Sequence, residues 1–449
     1  MEMEPTPAVV TTIVTIPIIS QNTEQRFIAT AIRRLVWKLD RRLIPFLVLL
    51  EISSYINRLS FGHAKLMNIK DELPMSSSDM NWAISLFYLS YSIFEIPSTL
   101  LLRFLGPTRY LSLSLILWGG ITVGMAFVKN SQQLLIVRFL LGMVQSGFFT
   151  GTVIYFSLWY CKKEQIMRIV ILFGTVFAAG VLDGILAYGT RHMKDIGGLK
   201  NWRWLFLFEG LPIIPLGVMT YLFLGSIPDT VQWLDNCEKQ LLTNLLREDA
   251  GLANSEPTSS TRLSWRQVRY VFIDWRIYLY VMIAVGDLAV HKCLTTYLPE
   301  LAKSMSDSKE VHLMTIPLDF VACDVALYVS TCIAYCGAFS AFPLLLSWLT
   351  NNVGGHTKRA LAVGFLVGMG QMGGTLAPLV YPDDDEPVYR RGHIICGGII
   401  AISLIITFIL RNCLQLENDR RIYLSPDKYK QEAAIIEPCD WHPDIRYVL

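Results

Sequence analysis

The chain has 449 residues, of which 53% are hydrophobic and 17% charged, with a mean hydropathy of +0.41. A soluble domain carries about 25% charged residues, so this composition excludes an ordinary soluble protein and requires a lipid bilayer as partner. The net charge of +2 from 39 basic and 37 acidic residues excludes the basic field that a nucleic-acid partner needs.

The first 42 residues read as a tail. Ala8 to Ser20 is apolar but follows Glu2 and Glu4 without a basic n-region, unlike a signal peptide. Runs long enough to cross the hydrocarbon core, which takes about 20 apolar residues, then follow in close order. They are Leu43 to Phe61, Trp82 to Leu102, Tyr110 to Val128, Leu134 to Tyr160, Ile169 to Tyr188 and Trp204 to Leu224. Residues 43–224 are therefore predicted to form an N-terminal six-helix bundle.

A polar stretch from Gly225 to Ile277, holding the turn-prone segment Ala253 to Ser260, interrupts the pattern as a linker. Beyond it lie Tyr278 to Leu298, the long run Leu313 to Leu349, Ala360 to Val380 and Gly392 to Leu410. Residues 278–410 form a shorter second bundle and residues 411–449 a tail. Counting Leu313 to Leu349 as one span concentrates Lys and Arg on the side of the N-terminus, as the positive-inside rule requires, whereas two spans erase the bias. The expectation is an all-α polytopic membrane protein of ten spans, with both termini and the linker cytoplasmic. Two helix sets about a polar linker is the layout of carriers whose halves rock about a central site.

Several strings support a more specific reading. They are Phe94-Glu95-Ile96-Pro97-Ser98 followed by Leu105-Gly106-Pro107, Arg138-Phe139-Leu140-Leu141-Gly142 with Gly147-Phe148-Phe149, and Trp202-Arg203-Trp204-Leu205-Phe206 with Glu209-Gly210-Leu211-Pro212. Later come Ser347-Trp348-Leu349, Asn351-Asn352 and Gly355-His356-Thr357-Lys358-Arg359. In order and spacing these resemble the anion:cation symporter branch of the major facilitator superfamily, and more closely its fungal allantoate permease-like members. The resemblance covers most of residues 40–425 and implies a major facilitator fold of twelve spans.

The chain departs from that pattern twice. The string from Trp348 to Arg359 follows what is here the eighth span, where the family has its tenth. About two helices are therefore expected to be missing between Met314-Thr315-Ile316-Pro317 and Ala334. The family also places acids immediately before the first-span arginine and seven residues after the fourth-span arginine. Here Asn57 precedes Arg58 and Gln145 follows Arg138. Both amides keep a carboxylate's shape but cannot accept a proton near neutral pH, so coupling by that route is expected to be lost.

A charge at the bilayer centre costs about 2.5–3.5 kcal/mol on insertion scales, which directs Arg58 and Arg138 toward the bundle interior. A guanidinium binds a carboxylate through two parallel hydrogen bonds, which suits an organic anion; capping of backbone carbonyls, or snorkelling from a span end, is the alternative role. Tyr91, one turn before Glu95, matches a position that the resemblance places on the cavity, with packing as its alternative. The candidate substrate residues are thus Arg58, Arg138, Tyr91, Asn57 and Gln145. Asp287 and His291, four residues apart on one helix face beside Lys292, and Glu95 are the candidate proton carriers; drift in a decaying gene is the competing account of the Asp287 group. Glu51 and Asp183 are further candidates, with a structural role as the preferred reading of each. Gln371 among Gly368, Gly370, Gly373 and Gly374 marks a closely packed helix.

The nine cysteines have no metal-ligand spacing, Cys332 and Cys336 reading as buried thiols, and no phosphate loop, nucleophile elbow or zinc-spaced pair occurs. No catalytic residue, metal or cofactor is expected. The expected function is secondary-active or facilitative transport of a vitamin- or ureide-type carboxylate across the plasma membrane, with an internal membrane as the alternative location and protons as a candidate second partner. The alternatives are a non-transporting sensor or degenerate paralogue, and an exporter of a secondary metabolite.

Overall fold

In a bilayer every backbone N–H and C=O must be paired within the chain, which leaves a sequence of long apolar runs only helices to form. The computed structural model describes residues 21–67, 69–193, 198–225, 231–249, 264–305, 325–380, 390–433, 439–443 and 446–449. Its elements are α1 (Gln21–Leu66), α2 (Ile69–Glu72), α3 (Ser77–Leu105), α4 (Pro107–Met125), α5 (Ser131–Gln145), α6 (Phe148–Ser157), α7 (Lys162–Arg191) and α8 (Asn201–Phe223). These are followed by α9 (Asn236–Asp249), α10 (Trp265–Ile273), α11 (Trp275–Met305), α12 (Val325–Asn352), α13 (His356–Val380), α14 (Arg390–Ile422) and α15 (Pro426–Ala433). Six stretches within them, Ala29–Leu66, Ser78–Leu105, Ser131–Ser157, Lys162–Arg191, Asn201–Phe223 and Arg391–Ile422, have both the length and the apolarity to cross a membrane. The chain is thus an all-helical, polytopic membrane protein.

Most helices outrun the apolar stretches that predicted them; α1 begins about six turns before Leu43. The expected run Leu134 to Tyr160 is two helices, α5 and α6, broken at Ser146 and Gly147. The expected run Leu313 to Leu349 is represented by α12, and its first part, with Asp319 and Asp324, lies outside the described residues, as does the Met314 to Pro317 string.

In the N-terminal half, α4 lies along α8, with α3 on α5 and α1 on α7 and α8. Gly119 and Gly210 set the α4–α8 spacing: a Cβ at Gly210 would come within 2.8 Å of the Val123 backbone nitrogen. At one end, Glu72 accepts hydrogen bonds from Trp202 Nε1 at 2.6 Å and from Arg203 Nη2 at 2.9 Å. Arg203 also donates to the carbonyls of Ala126 and Val128, so the Trp202-Arg203 pair joins the ends of α2, α4 and α8. At the other end Arg168 of α7 holds Asp40 of α1 through two nitrogens, at 3.1 and 2.7 Å.

The linker holds two amphipathic helices rather than a bare loop, and each sits on a different half. Before α9, Trp233 stacks on Trp159 with centroids 5.8 Å apart, and on α9 Glu238 pairs with Lys38 at 2.6 Å. From α10, Gln267 accepts the backbone N–H of Thr357 and Lys358 at the start of α13.

In the C-terminal half α11 packs on α12, α13 and α14. The halves meet where α3 lies along α13, α7 against α12 and α1 against α11. The glycines of α13 serve both contacts, as their spacing implies. A Cβ at Gly373 would stand 2.5 Å from Ala289 Cα of α11, and one at Gly374 would stand 2.5 Å from the Tyr88 ring of α3. Beneath the C-terminal half, residues 439–443 and 446–449 return to the helix ends. Lys358, fully buried, bridges Asp274 at 2.8 Å and Asp440 at 2.6 Å, and Asn352 exchanges hydrogen bonds with the Val448 backbone.

Candidate functional site

Polar residues in otherwise apolar helices gather at the meeting of the two halves. A narrow central cavity lies between them. From α1 it is lined by Tyr55 and Arg58, from α3 by Phe87 and Tyr88, from α5 by Arg138, and from α11 by His291 and Lys292. The Arg138 guanidinium is 3.7 Å from the Phe61 ring centroid and 5.3 Å from that of Phe87. Its Nε and Nη1 are buried without a hydrogen-bond partner. The Arg58 guanidinium stands 5.5 Å from the Tyr55 ring and 5.2 Å from the Tyr91 ring, and Lys292 Nζ is 5.4 Å from the Tyr88 ring. Aromatic faces partly compensate a cation without asking for its hydrogen bonds, so the guanidinium edge of Arg138 remains able to take an anion.

Behind Arg58 runs a relay of amides. Arg58 Nε donates to Gln145 Oε1 at 3.4 Å, Gln145 Nε2 donates to Asn57 Oδ1 at 2.9 Å, and Asn57 Nδ2 donates to Glu209 Oε2 at 3.3 Å and to Thr122 Oγ1 at 3.1 Å. Asn57 and Gln145 are fully buried and absent from the cavity wall, so they hold Arg58 in place from behind. Tyr91 does the same. It is fully buried, and its ring supports the guanidinium while Tyr88, one turn earlier, lines the cavity.

Glu95 is engaged elsewhere. Its two oxygens accept the Gly147 N–H at 2.7 Å and the Thr150 hydroxyl at 2.5 Å. They cap the first turn of α6, where the helix break has freed donors inside the membrane. Gly147 makes the break with φ +72°, and a Cβ there would come within 2.7 Å of the Tyr110 hydroxyl. Tyr110 in turn donates to the Ser146 carbonyl at 2.6 Å.

Of the candidate proton carriers on α11, His291 reaches the cavity and packs between Phe173 and Phe339, at centroid distances of 5.7 and 4.0 Å. Asp287 Oδ2 is buried without a hydrogen-bond partner. Glu51 and Asp183 are both buried, and Asp183 joins a cluster that the sequence did not indicate. Its Oδ1 accepts from Ser60 at 2.5 Å, and its Oδ2 lies 3.4 Å from His63 Nε2. Sequence reasoning also missed Tyr88 and Lys292 as cavity residues and Glu209 as the end of the amide relay. Lys292 was visible as a cation in an apolar run; nothing in the sequence told which way it faces. No cluster of three or more metal-ligating side chains occurs among the described residues.

The comparisons with known proteins agree with this architecture. "MFS transporter prlL" of a fungal species is 29% identical over 440 aligned positions, covering 86% of this chain and 88% of that protein. A "Putative tartrate transporter" of Agrobacterium vitis is 25% identical over 419 positions, covering 84% and 91%. Coverage of 86% is about 386 of the 449 residues, so about 54 of the 440 aligned positions are gaps on the side of this chain. Among solved structures, the proton:xylose symporter XylE bound to 6-bromo-6-deoxy-D-glucose superposes with a TM-score of 0.57 at 13% identity, over 82% of this chain and 94% of that one. That likeness establishes the fold alone. The family model of the Major Facilitator Superfamily matches residues 27–410, and the chain is a member of that superfamily, a multi-pass membrane transporter by fold and by kinship.

Proposed function

We propose that this transporter carries a small organic anion, with Arg58 and Arg138 as the groups that take its carboxylate. The observation that carries the reading is Arg138: a buried guanidinium on a cavity wall, stacked on aromatic rings and with two nitrogens unpartnered. A buried charge is retained against its insertion cost when a ligand completes it. The allantoate permease-like strings favour a ureide or vitamin-type monocarboxylate, such as nicotinate, pantothenate or biotin. The relative named as a putative tartrate transporter supports a carboxylate more generally.

Asn57 and Gln145 replace the two carboxylates that would exchange protons beside these arginines, so transport is facilitated or only weakly proton-coupled. Residual coupling resides in Asp287 or His291. Glu95, committed to the α6 cap, is the weaker carrier. A non-transporting sensor is the second reading, favoured by the roughly 54 aligned positions without a counterpart, about two helices' worth, which we place in the C-terminal half. The plasma membrane is the proposed location.

Uptake of a panel of labelled carboxylates by cells expressing the chain tests both readings. Saturable uptake of at least one that survives a protonophore supports the first. Saturable binding without flux selects the second, and uptake that collapses with a protonophore contradicts the coupling assignment.

A further inference from the structure

Of the described crossing helices, α14 is the most weakly anchored. Only 11% of its most apolar stretch is buried inside the protein, against 39–61% in the other five crossing stretches, and its main neighbour is α11. The two helices meet closely. A Cβ at Gly286 of α11 would stand 3.5 Å from Ser403 Cβ of α14, inside the range of about 3.5–4.5 Å that a disulfide spans between its Cβ atoms. Cys293 lies seven residues further along α11 and Cys396 seven residues back along α14. Seven residues are two helical turns, so both cysteines return to the faces that Gly286 and Ser403 occupy. Their side chains are hydrogen bonded to each other. Both are buried and reduced.

We propose that Cys293 and Cys396 are a disulfide-forming pair that staples α14 to α11. The reaction needs a peroxide as oxidant. One thiol is oxidised to a sulfenic acid with release of water, and the second thiol then displaces the hydroxyl as a second water, leaving the S–S bond. Each sulfur thus gives up one electron and one proton to the peroxide. The position in the membrane suits this chemistry. Cys293 stands about 27 Å along α11 from Trp275, and Cys396 about 9 Å from the start of α14 at Arg390. The pair therefore lies at the end of the helices away from the linker. The charge distribution puts the linker on the cytoplasmic side, so the cysteines face the compartment in which disulfides persist. The bridge would begin one residue after Lys292, which with His291 lines the central cavity. It would thus fix the peripheral helix and steady the turn of α11 on the cavity wall, whatever the cavity binds.

The test treats the purified full chain with hydrogen peroxide or with dithiothreitol, unfolds it in a thiol-alkylating reagent and maps the cysteines by mass spectrometry. After peroxide the peptides carrying Cys293 and Cys396 are expected to be joined, two hydrogens lighter than their sum; after dithiothreitol each is expected to be alkylated. Oxidised native protein should melt a few degrees above reduced native protein. That difference should vanish in Cys293→Ala and in Cys396→Ala, each compared with its own reduced form so that any packing cost of the substitution cancels. Both cysteines alkylated after peroxide, or either joined to a different cysteine, overturns the pair. A bridge that leaves the melting temperature unchanged overturns the anchoring of α14.

Discussion

Gln145 Nε2 donates to Asn57 Oδ1 at 2.9 Å, so these two amides of different helices are bonded to each other. Each amide uses both of its ends, one as donor and one as acceptor, and the direction of the relay is set by Arg58 at one end and Glu209 at the other. A carboxylate at position 57 would face Glu209 with acceptor against acceptor at about the same 3.3 Å. Two carboxylates that close repel each other unless a proton lies between them. Asn57→Asp is therefore expected to destabilise the protein more at high pH than at low pH, a dependence weaker in the native chain. Thermal denaturation between pH 5 and pH 9 checks it; parallel profiles for the two proteins would contradict it.

Replacing Asn57 by Leu should be more damaging than its size suggests. It leaves the Gln145 donor and the Glu209 acceptor buried and unsatisfied, at about 1–3 kcal/mol for each group stranded. The expected result is a lower melting temperature with the helix content of the remaining protein unchanged, read by circular dichroism. A melting temperature equal to the native value would show that the relay does not hold α1, α5 and α8 together.

Arg138 gives the opposite sign. Its Nε and Nη1 lack partners, so Arg138→Met is expected to stabilise the empty protein by about 1 kcal/mol, read as a higher melting temperature, because a buried and only partly compensated charge is exchanged for an apolar chain of similar length. The same variant should lose stabilisation by added carboxylates. A less stable empty protein that still responds to carboxylates would assign Arg138 a structural role.

The tail contact is the place where pH acts outside the membrane. Burial raises the Asp274 carboxyl, but Lys358 and Arg276 beside it outweigh burial and hold it below its ordinary value of 3.8. A depressed acid contributes stability that is present above the ordinary value and is lost as pH falls through the depressed one. Residues 439–449 are therefore expected to stay protected from protease at neutral pH and to loosen below about pH 4. Lys358→Met should loosen them at every pH, since it removes the buried cation that bridges Asp274 and Asp440 and leaves Arg276 alone to compensate both acids. An acid-resistant protease that cuts the native tail equally at pH 7 and pH 3.5 would contradict the assignment.

Much of this was legible in the sequence because lipid allows few solutions. Apolar runs of sufficient length fixed the helices, and the cost of a buried charge directed Arg58 and Arg138 inward. The glycines of α13 announced close approach, and at Gly373 and Gly374 the neighbours that use it are Ala289 and Tyr88. What escaped was pairing at long range. Asn57 and Glu209 are 152 residues apart, and neither announces the other, because an amide bonds as readily to one neighbour as to the next. Lys358 and Asp440 are 82 apart, and Lys358 reads in sequence as one more basic residue at a helix start. Glu95 resembled a proton carrier because its use as a cap depends on the break at Gly147, which lies on a different helix.

The central claim, that the arginines on the cavity wall select the charge of the substrate, is tested most directly by counterflow in proteoliposomes with a carboxylate and its neutral amide, nicotinate beside nicotinamide. The account predicts that nicotinate, or another monocarboxylate that replaces it in a panel of acid and amide pairs, exchanges while its amide does not, and that Arg138→Gln reduces exchange of the acid by about tenfold or more. Exchange of the amide at the rate of the acid, unaltered by Arg138→Gln, would contradict it.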